Sequence, residues 1–158
     1  MKKATVGKPV PDIEVRATDD QKFKLSDLQG KNVVLYFYPK DNTPGCTTEG
    51  QDFRDHYEEF RKLKTEIFGV SRDSLKSHEG FKGKQCFSFD LISDQDEKLC
   101  KLFDVIKEKT LYGKKYLGIE RSTFIIDSNG ILHKEYRGVK VDGHVATVLT
   151  DVKKLVKQ

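Results

Sequence analysis

Asn32-Val33-Val34-Leu35-Tyr36-Phe37-Tyr38 is an almost unbroken apolar, β-branched and aromatic run. Strands covered on both faces read this way, so the run predicts a central strand, ended by Pro39. From Cys46 the period changes. Phe53, Tyr57, Phe60 and Leu63 recur at helical spacing, with Asp52, Arg54, Asp55, Glu58, Glu59 and Lys62 on the other face. That pattern predicts an amphipathic helix packed on the sheet. Thr65–Ser71 follows as the next strand. Strand, helix and strand form a right-handed βαβ unit with Cys46 at the strand-to-helix junction. Open α/β sheets commonly place active groups at the carboxyl ends of strands.

Upstream, alternation at Ile13, Val15 and Ala17 predicts a short edge strand, Thr18-Asp19-Asp20 a turn, and Phe23-Lys24-Leu25 the hairpin partner. Ser26-Asp27-Leu28 reads as a short turn stopped by Gly30. Downstream, Ser74 is a helix N-cap and the helix runs to about Lys84. Phe89–Ser93 is a short strand, and Asp94-Gln95-Asp96 opens a short helix through Leu99, Leu102 and Phe103. Residues 107–118 show no period and predict a long polar loop. Ser122–Ile126 and Ile131–Tyr136 flank Asp127-Ser128-Asn129-Gly130, a strong hairpin signal. Val145, Val148, Leu149, Val152, Leu155 and Val156 mark a closing amphipathic helix from His144. This order predicts an α/β class. On its own it leaves several α/β folds open.

Composition narrows the picture. A chain of 158 residues without repeats or linkers is expected to form one domain, residues 1–158. Hydrophobic residues at 36% and charged residues at 34% indicate a soluble, globular chain, and no apolar run approaches a membrane span. The basic start at Met1-Lys2-Lys3 has no apolar segment behind it, so a secretory signal is not expected and the cytoplasm is the default. Lys plus Arg number 29 against 25 Asp plus Glu, a net +4, but the lysines are interleaved with acids. A general attraction to anions follows, and nucleic-acid binding is disfavoured. No long exposed apolar face is evident outside the predicted core, which suggests a monomer. Cys46, Cys86 and Cys100 are an odd count without C-x-x-C spacing, which fits a reduced compartment better than a disulfide framework. Cys86 and Cys100 read as structural, Cys100 as core. His56, His78, His133 and His144 are scattered and read as solvated or core, with no metal site expected. Gly113-Lys114-Lys115 lacks the rest of a phosphate-binding loop.

The chemistry concentrates in Tyr36-Phe37-Tyr38-Pro39-Lys40-Asp41-Asn42-Thr43-Pro44-Gly45-Cys46-Thr47-Thr48-Glu49. A turn rich in Pro, Asn and Gly delivers Cys46 to the start of a helix. Unpaired N–H groups and the positive end of the macrodipole stabilise a thiolate there, and thiolate is the reactive form. Thr43 supplies a hydroxyl on the same loop, while Pro39 and Pro44 restrict the backbone. Arg121, ahead of the Ser122–Ile126 strand, is a candidate cation that stays charged and offers a fork of donors. It could equally be a surface ion pair. Glu49 could orient Arg121 or be only a dipole-favoured acid near the helix start.

The pattern Pro39-x-x-x-Thr43-x-x-Cys46, in its full run to Glu49, resembles the active-site loop of the peroxiredoxins, and in particular the bacterioferritin-comigratory-protein (PrxQ) branch. Lys8-Pro9-Val10-Pro11-Asp12, Gly69-Val70-Ser71-Arg72-Asp73, Leu91-Ile92-Ser93-Asp94 and the Arg121 strand extend the likeness over nearly the whole chain. The resemblance implies a thioredoxin-like fold with a central mixed sheet, flanking helices and an N-terminal hairpin. It implies reduction of hydrogen peroxide and organic hydroperoxides at Cys46, with Thr43, Pro39 and Arg121 around it. Electrons would come from a thioredoxin-like protein or a small thiol, with no metal, haem or flavin. That branch is often monomeric.

The residues alone keep a thiol-transfer or binding module, or a holdase role, open. The chain also departs from the family's pattern. Relatives supply a resolving thiol five residues after the reactive cysteine, here Gln51, or just after a His-x-x-Phe stretch, here Lys82 following His78-Glu79-Gly80-Phe81. With both absent, a one-cysteine cycle reset by an external thiol is the favoured expectation. A disulfide from Cys46 to Cys86 is the runner-up. It is weakened because Gly83 makes continuation of the helix to Cys86 doubtful.

Overall fold

The computed structural model describes residues 3–157; Met1 and Lys2, at the basic start, and Gln158 lie outside the described residues. The strands are β1 (Glu14–Ala17), β2 (Gln21–Lys24), β3 (Asn32–Phe37), β4 (Thr65–Ser71), β5 (Asp90–Ser93), β6 (Ile106–Leu111), β7 (Lys114–Ile119), β8 (Ser122–Ile126) and β9 (Leu132–Tyr136). The helices are α1 (Pro44–Lys62), α2 (Leu75–Gln85), α3 (Lys98–Leu102) and α4 (His144–Val156).

β3 is buried at every position, as its apolar run requires. It lies inside a seven-stranded mixed sheet of order β2-β1-β5-β4-β3-β8-β9. β3, β4 and β5 are parallel, and β8 and β9 return antiparallel. The pleat sends alternate residues of β3 to opposite faces. Val34, Tyr36 and Tyr38 pack under Phe53 and Phe60 of α1, Phe81 of α2 and Val145, Val148 and Val152 of α4. Val33, Leu35 and Phe37 face Leu99, Cys100 and Leu102 of α3 and Leu25 of a short 3₁₀ turn. Burying each large apolar side chain stabilises the fold by about 1.5–3 kcal/mol, so the β3 core anchors both layers.

The N-terminal hairpin forms with Glu14 opposite Lys24 and with Asp19 and Asp20 at positive φ in its turn. The strand expected at the edge is instead interior. β1 also pairs with β5 through Arg16↔Ser93 and Ala17↔Ile92, and β2 is the edge. Ser74 caps α2 by accepting from Ser77 N at 3.1 Å. Asp94 caps α3, its carboxylate taking Leu99 N and Cys100 N at 3.0 and 2.7 Å.

A second expectation is corrected in the ribbon. Residues 107–118 are not a loop. β6 and β7 form a two-stranded antiparallel ribbon, Ile106↔Ile119 to Leu111↔Lys114, turned by Tyr112 (φ 51°) and Gly113 (φ 77°). Only the base of the ribbon, at Ile106 and Ile119, meets the core, so no buried face imprints a period on the rest. Leu111, Tyr112, Tyr116 and Leu117 are exposed on it, so the chain does carry exposed apolar side chains outside the core. α2 ends close to the expected Lys84. It passes through Gly83 to Gln85 and stops there, with Cys86 in a left-handed conformation (φ 57°) as its C-cap. Gly83 has open space around it and only weakens the helix without breaking it.

Gly50 sets the spacing between α1 and the end of α2. A Cβ there would lie 2.3 Å from the Phe87 ring, which is itself buried. Gly50→Ala should therefore destabilise the protein by roughly 1–3 kcal/mol through overpacking, although Ala is favoured in helices by about 1 kcal/mol. Denaturant titration checks this; an unchanged or higher midpoint would show that the Phe87 ring moves aside freely.

Candidate active site

Pro39 is the point at which the loop leaves the sheet. Tyr38 N still bonds Val70 O at 3.0 Å, and Pro39 has no N–H to continue the ladder. The loop then enters α1 with Thr43 as N-cap and Pro44 at the first helical position, where a missing N–H loses nothing. Thr47 N returns to Thr43 O at 2.9 Å. Gly45 and Cys46 are thus left with N–H groups that have no intrahelical acceptor. Cys46 is the third helical residue and only 2% exposed. The Thr43 hydroxyl donates to Lys40 O at 2.7 Å, which leaves its oxygen free to accept from another donor.

Arg121 reaches this loop because of strand register. β8 pairs antiparallel with β3, Phe37 opposite Ser122, so the residue before β8 stands across from the residue after β3. Its Nη2 donates to Cys46 Sγ at 3.4 Å and its Nη1 to Glu49 Oε1 at 2.7 Å. The Glu49 side chain is fully buried and Arg121 is 17% exposed, so the pair is an interior one and not a surface ion pair. Gly45 makes room for the fork, since a Cβ there would sit 3.1 Å from Nη2. Burial raises the Glu49 carboxyl to about 7, with Arg121 opposing. His144, beside Thr123 at 2.8 Å, is pulled down to about 4 by burial and by the charge of Arg121, so it is neutral at pH 7. From the ribbon, Lys109 donates to Ile119 O at 2.5 Å; burial and then Arg121 lower its pKa.

A second buried network braces the loop from behind. Asp41 accepts from Tyr38 OH at 2.7 Å and Ser77 Oγ at 2.8 Å, and its Oδ2 lies 2.7 Å from His78 Nδ1. His78 Nε2 donates to Ile92 O at 2.9 Å. The loop, α2 and β5 are thereby tied together. The oxygen and nitrogen atoms of Asp41, Asp73 and His78 lie close enough to suggest a metal site. They are already hydrogen-bonded to one another or to protein, with Asp73 Oδ2 taking Asp41 N at 2.9 Å and Ser71 Oγ at 2.5 Å. Sequence reasoning missed this network. Asp41 and His78 each stood in a quoted stretch, but 37 residues separate them and only the fold joins them.

Cys100 is fully buried, and burial pushes its thiol far up, which fits the core role expected of it. Cys86, also expected to be structural, is exposed at the C-cap of α2. Gln51, where relatives place a thiol, instead bonds Gln85 at 2.9 Å, and Arg54 bonds Gln85 O at 2.9 Å. The end of α2 therefore abuts the second and third turns of α1. All three thiols are free. A separate cleft of about 120 Å³ lies at the opposite end of β3, among Leu25, Leu28, Val33 and Ile126, far from these groups. No helix among the described residues is long and apolar enough to cross a membrane.

The arrangement is a buried sulfur at a helix start, a guanidinium bonded to it, and donors beside it. It is suited to stabilising a thiolate and the negative charge developing on an oxygen it attacks. The AhpC/TSA family model matches residues 6–135. Peroxiredoxin Bcp of Bacillus subtilis is 52% identical over 148 residues, 94% of each chain. A Xylella fastidiosa PrxQ mutant structure superposes with a TM-score of 0.91 at 43% identity, covering 98% of each chain. Structures of the Xanthomonas campestris bacterioferritin comigratory protein concern its alkyl peroxide reduction activity; one superposes with a TM-score of 0.87 at 49% identity, covering 91% of this chain and 92% of that one. These likenesses support the thioredoxin-like fold and decide for a peroxidase over a thiol-transfer module. The chain belongs to the AhpC/TSA family and, within it, to the Bcp/PrxQ peroxiredoxins, which are thiol-dependent peroxidases.

Proposed function

We propose that Cys46 is the thiol that attacks peroxide in this enzyme, and that Arg121, Thr43 and Pro39 complete its site. The observation carrying this is the fork of Arg121, which meets Cys46 Sγ and Glu49 across a separation of 75 residues from the sulfur. The thiolate attacks one oxygen of the O–O bond. The S–O bond forms, the O–O bond breaks, and the leaving oxygen departs with the electron pair and takes up a proton. Arg121 and the Gly45 and Cys46 N–H groups stabilise the charge as it moves from sulfur to oxygen. Thr43 accepts from the hydroperoxide O–H and orients it. Glu49 holds the guanidinium in place. Hydrogen peroxide and alkyl hydroperoxides are the substrates, and the protein works in the cytoplasm.

Attack leaves a sulfenic acid on Cys46, which must meet a thiol or over-oxidise. We favour an external thiol, from a small molecule or a thioredoxin-like protein, as the resetting group. An intramolecular disulfide with Cys86 is the second route, supported by the exposure of that thiol and by the packing of Gln85 on α1. Because Cys46 is 2% exposed, either route needs the first turn of α1 to open locally.

Cys46→Ser should abolish rapid consumption of one thiol per chain in stopped-flow mixing with peroxide; undiminished consumption would remove Cys46 from its role. Arg121→Met and Thr43→Val should each slow the peroxide step by about 10²-fold or more; Thr43→Val should change Tm little, whereas Arg121→Met, which leaves the buried Glu49 without its partner, should also lower Tm. A near-normal rate in either variant takes that residue out of the site.

Thiol mapping by mass spectrometry after one equivalent of peroxide should find sulfenic acid on Cys46, with turnover intact in Cys86→Ser and Cys100→Ser. A dominant Cys46–Cys86 linkage, with turnover lost in Cys86→Ser, would overturn the one-cysteine cycle.

We also propose a monomer, the ribbon's Leu111, Tyr112, Tyr116 and Leu117 notwithstanding. Light scattering at working concentration should give one chain's mass, and a stable dimer would place a partner on those side chains.

A further inference from the structure

The buried cluster behind Cys46 contains two acids hydrogen-bonded to one cation. Cys46 and Glu49 are three residues apart on α1, so they lie on one face, and both engage the Arg121 fork. Glu49 Oε1 is taken by Arg121, while Oε2 is buried with no hydrogen-bond partner among the described residues. The other groups facing the cluster add no net positive charge to it. Tyr36 on β3 is neutral, its hydroxyl pushed well up by burial and also without a partner. His144 on α4 is neutral. Lys109 on the ribbon, hydrogen-bonded to Ile119 O, brings one positive charge within reach of Cys46, and Asp52 on α1 brings one negative charge that offsets it.

With both acids ionised, the cluster would hold net negative charge away from water, together with an orphaned carboxylate oxygen. Buried charge without compensation is strongly disfavoured. With one proton between the two acids the cluster is neutral. We propose that Glu49 and Cys46 share one proton, so that the reactive state pairs a Cys46 thiolate with a neutral Glu49 carboxylic acid protonated at Oε2. Glu49 then acts as a positioning residue whose protonation releases the full charge of Arg121 to the sulfur. Burial's upward push on the Glu49 carboxyl agrees with this.

The inference rests on Cys46 being the attacking thiol. In the step, thiolate, hydroperoxide and Glu49 carboxylic acid become sulfenic acid, alcohol or water, and Glu49 carboxylate. Two electrons pass from sulfur to the peroxide, and the proton ends on the leaving oxygen. Oxidation thus removes the negative charge from sulfur and completes the Arg121–Glu49 ion pair.

Infrared difference spectroscopy on the whole protein tests this. Reduced protein at neutral pH should show the carbonyl stretch of a protonated carboxyl. One equivalent of peroxide should remove it, and it should be absent from Glu49→Gln and from Cys46→Ser. Iodoacetamide alkylation against pH should keep its midpoint within about half a unit in Glu49→Gln, because the neutral amide matches a Glu49 that is already a neutral carboxylic acid beside the thiolate. If Glu49 were instead an ionised partner of Arg121, removing its negative charge would move the midpoint down by about one unit or more. The inference is overturned if reduced wild-type protein shows no such band, if peroxide does not remove it, or if the alkylation profile falls by that much. Should Glu49→Gln not fold, the peroxide response of the wild-type band decides alone. Loss of peroxidase activity in Cys46→Ser alongside any of those failures leaves the Cys46 assignment standing, whereas retained activity would overturn both.

Discussion

Everything at this site depends on one strand pairing. β8 lies antiparallel beside β3 with Ser122 opposite Phe37. A slip of one residue would send each side chain of β8 to the opposite face of the sheet. Arg121 would then no longer meet Cys46 and Glu49. The pairing is held in place by burial, since β3 and β8 are buried at every position and their side chains supply both cores. The apolar interior therefore aims the guanidinium, and the chemistry inherits its geometry from packing.

The legible part of the fold was the part with a buried face. β3 announced itself through unbroken apolar residues, and α1 through the spacing of Phe53, Tyr57 and Phe60. The ribbon of β6 and β7 left no such trace. Lys107, Glu108, Lys109, Thr110, Lys114 and Lys115 carry little information about strand pairing when neither side of most of the ribbon is covered. Tyr112-Gly113 was the available signal, a two-residue turn of the kind that joins hairpin strands. The interior place of β1 was hidden for a different reason. Four residues of alternating burial read alike whether one neighbour or two complete the ladder.

Cys46, Thr43 and Pro39 were legible because they lie on one short segment. Arg121 could be named from its setting, but its distance from the sulfur is a product of β3–β8 pairing and no local pattern encodes that. Asp41 and His78 show the limit more sharply. Each is an ordinary residue type in its own segment, and they acquire a role only once α2 packs beside the loop. The end of α2 was legible to within a residue: Gly83 lowers helix propensity, while the capped start at Ser74 and the burial of His78 and Phe81 carry the helix to Gln85.

The Tyr38–Asp41–His78–Ser77 network has a mechanical consequence. Its bonds join the loop before Cys46 to the second helix and, through Ile92 O, to β5, with Tyr38, Asp41 and His78 buried and Ser77 half-buried. Loop and helix are therefore coupled like two arms of one lever. Any excursion that lifts the first half of α2 away strains the backbone leading to the sulfur, and any fraying of that backbone loosens the hold on Ser77 and His78. Exposure of the Cys46 sulfur and displacement of the second helix are two readings of the same internal coordinate.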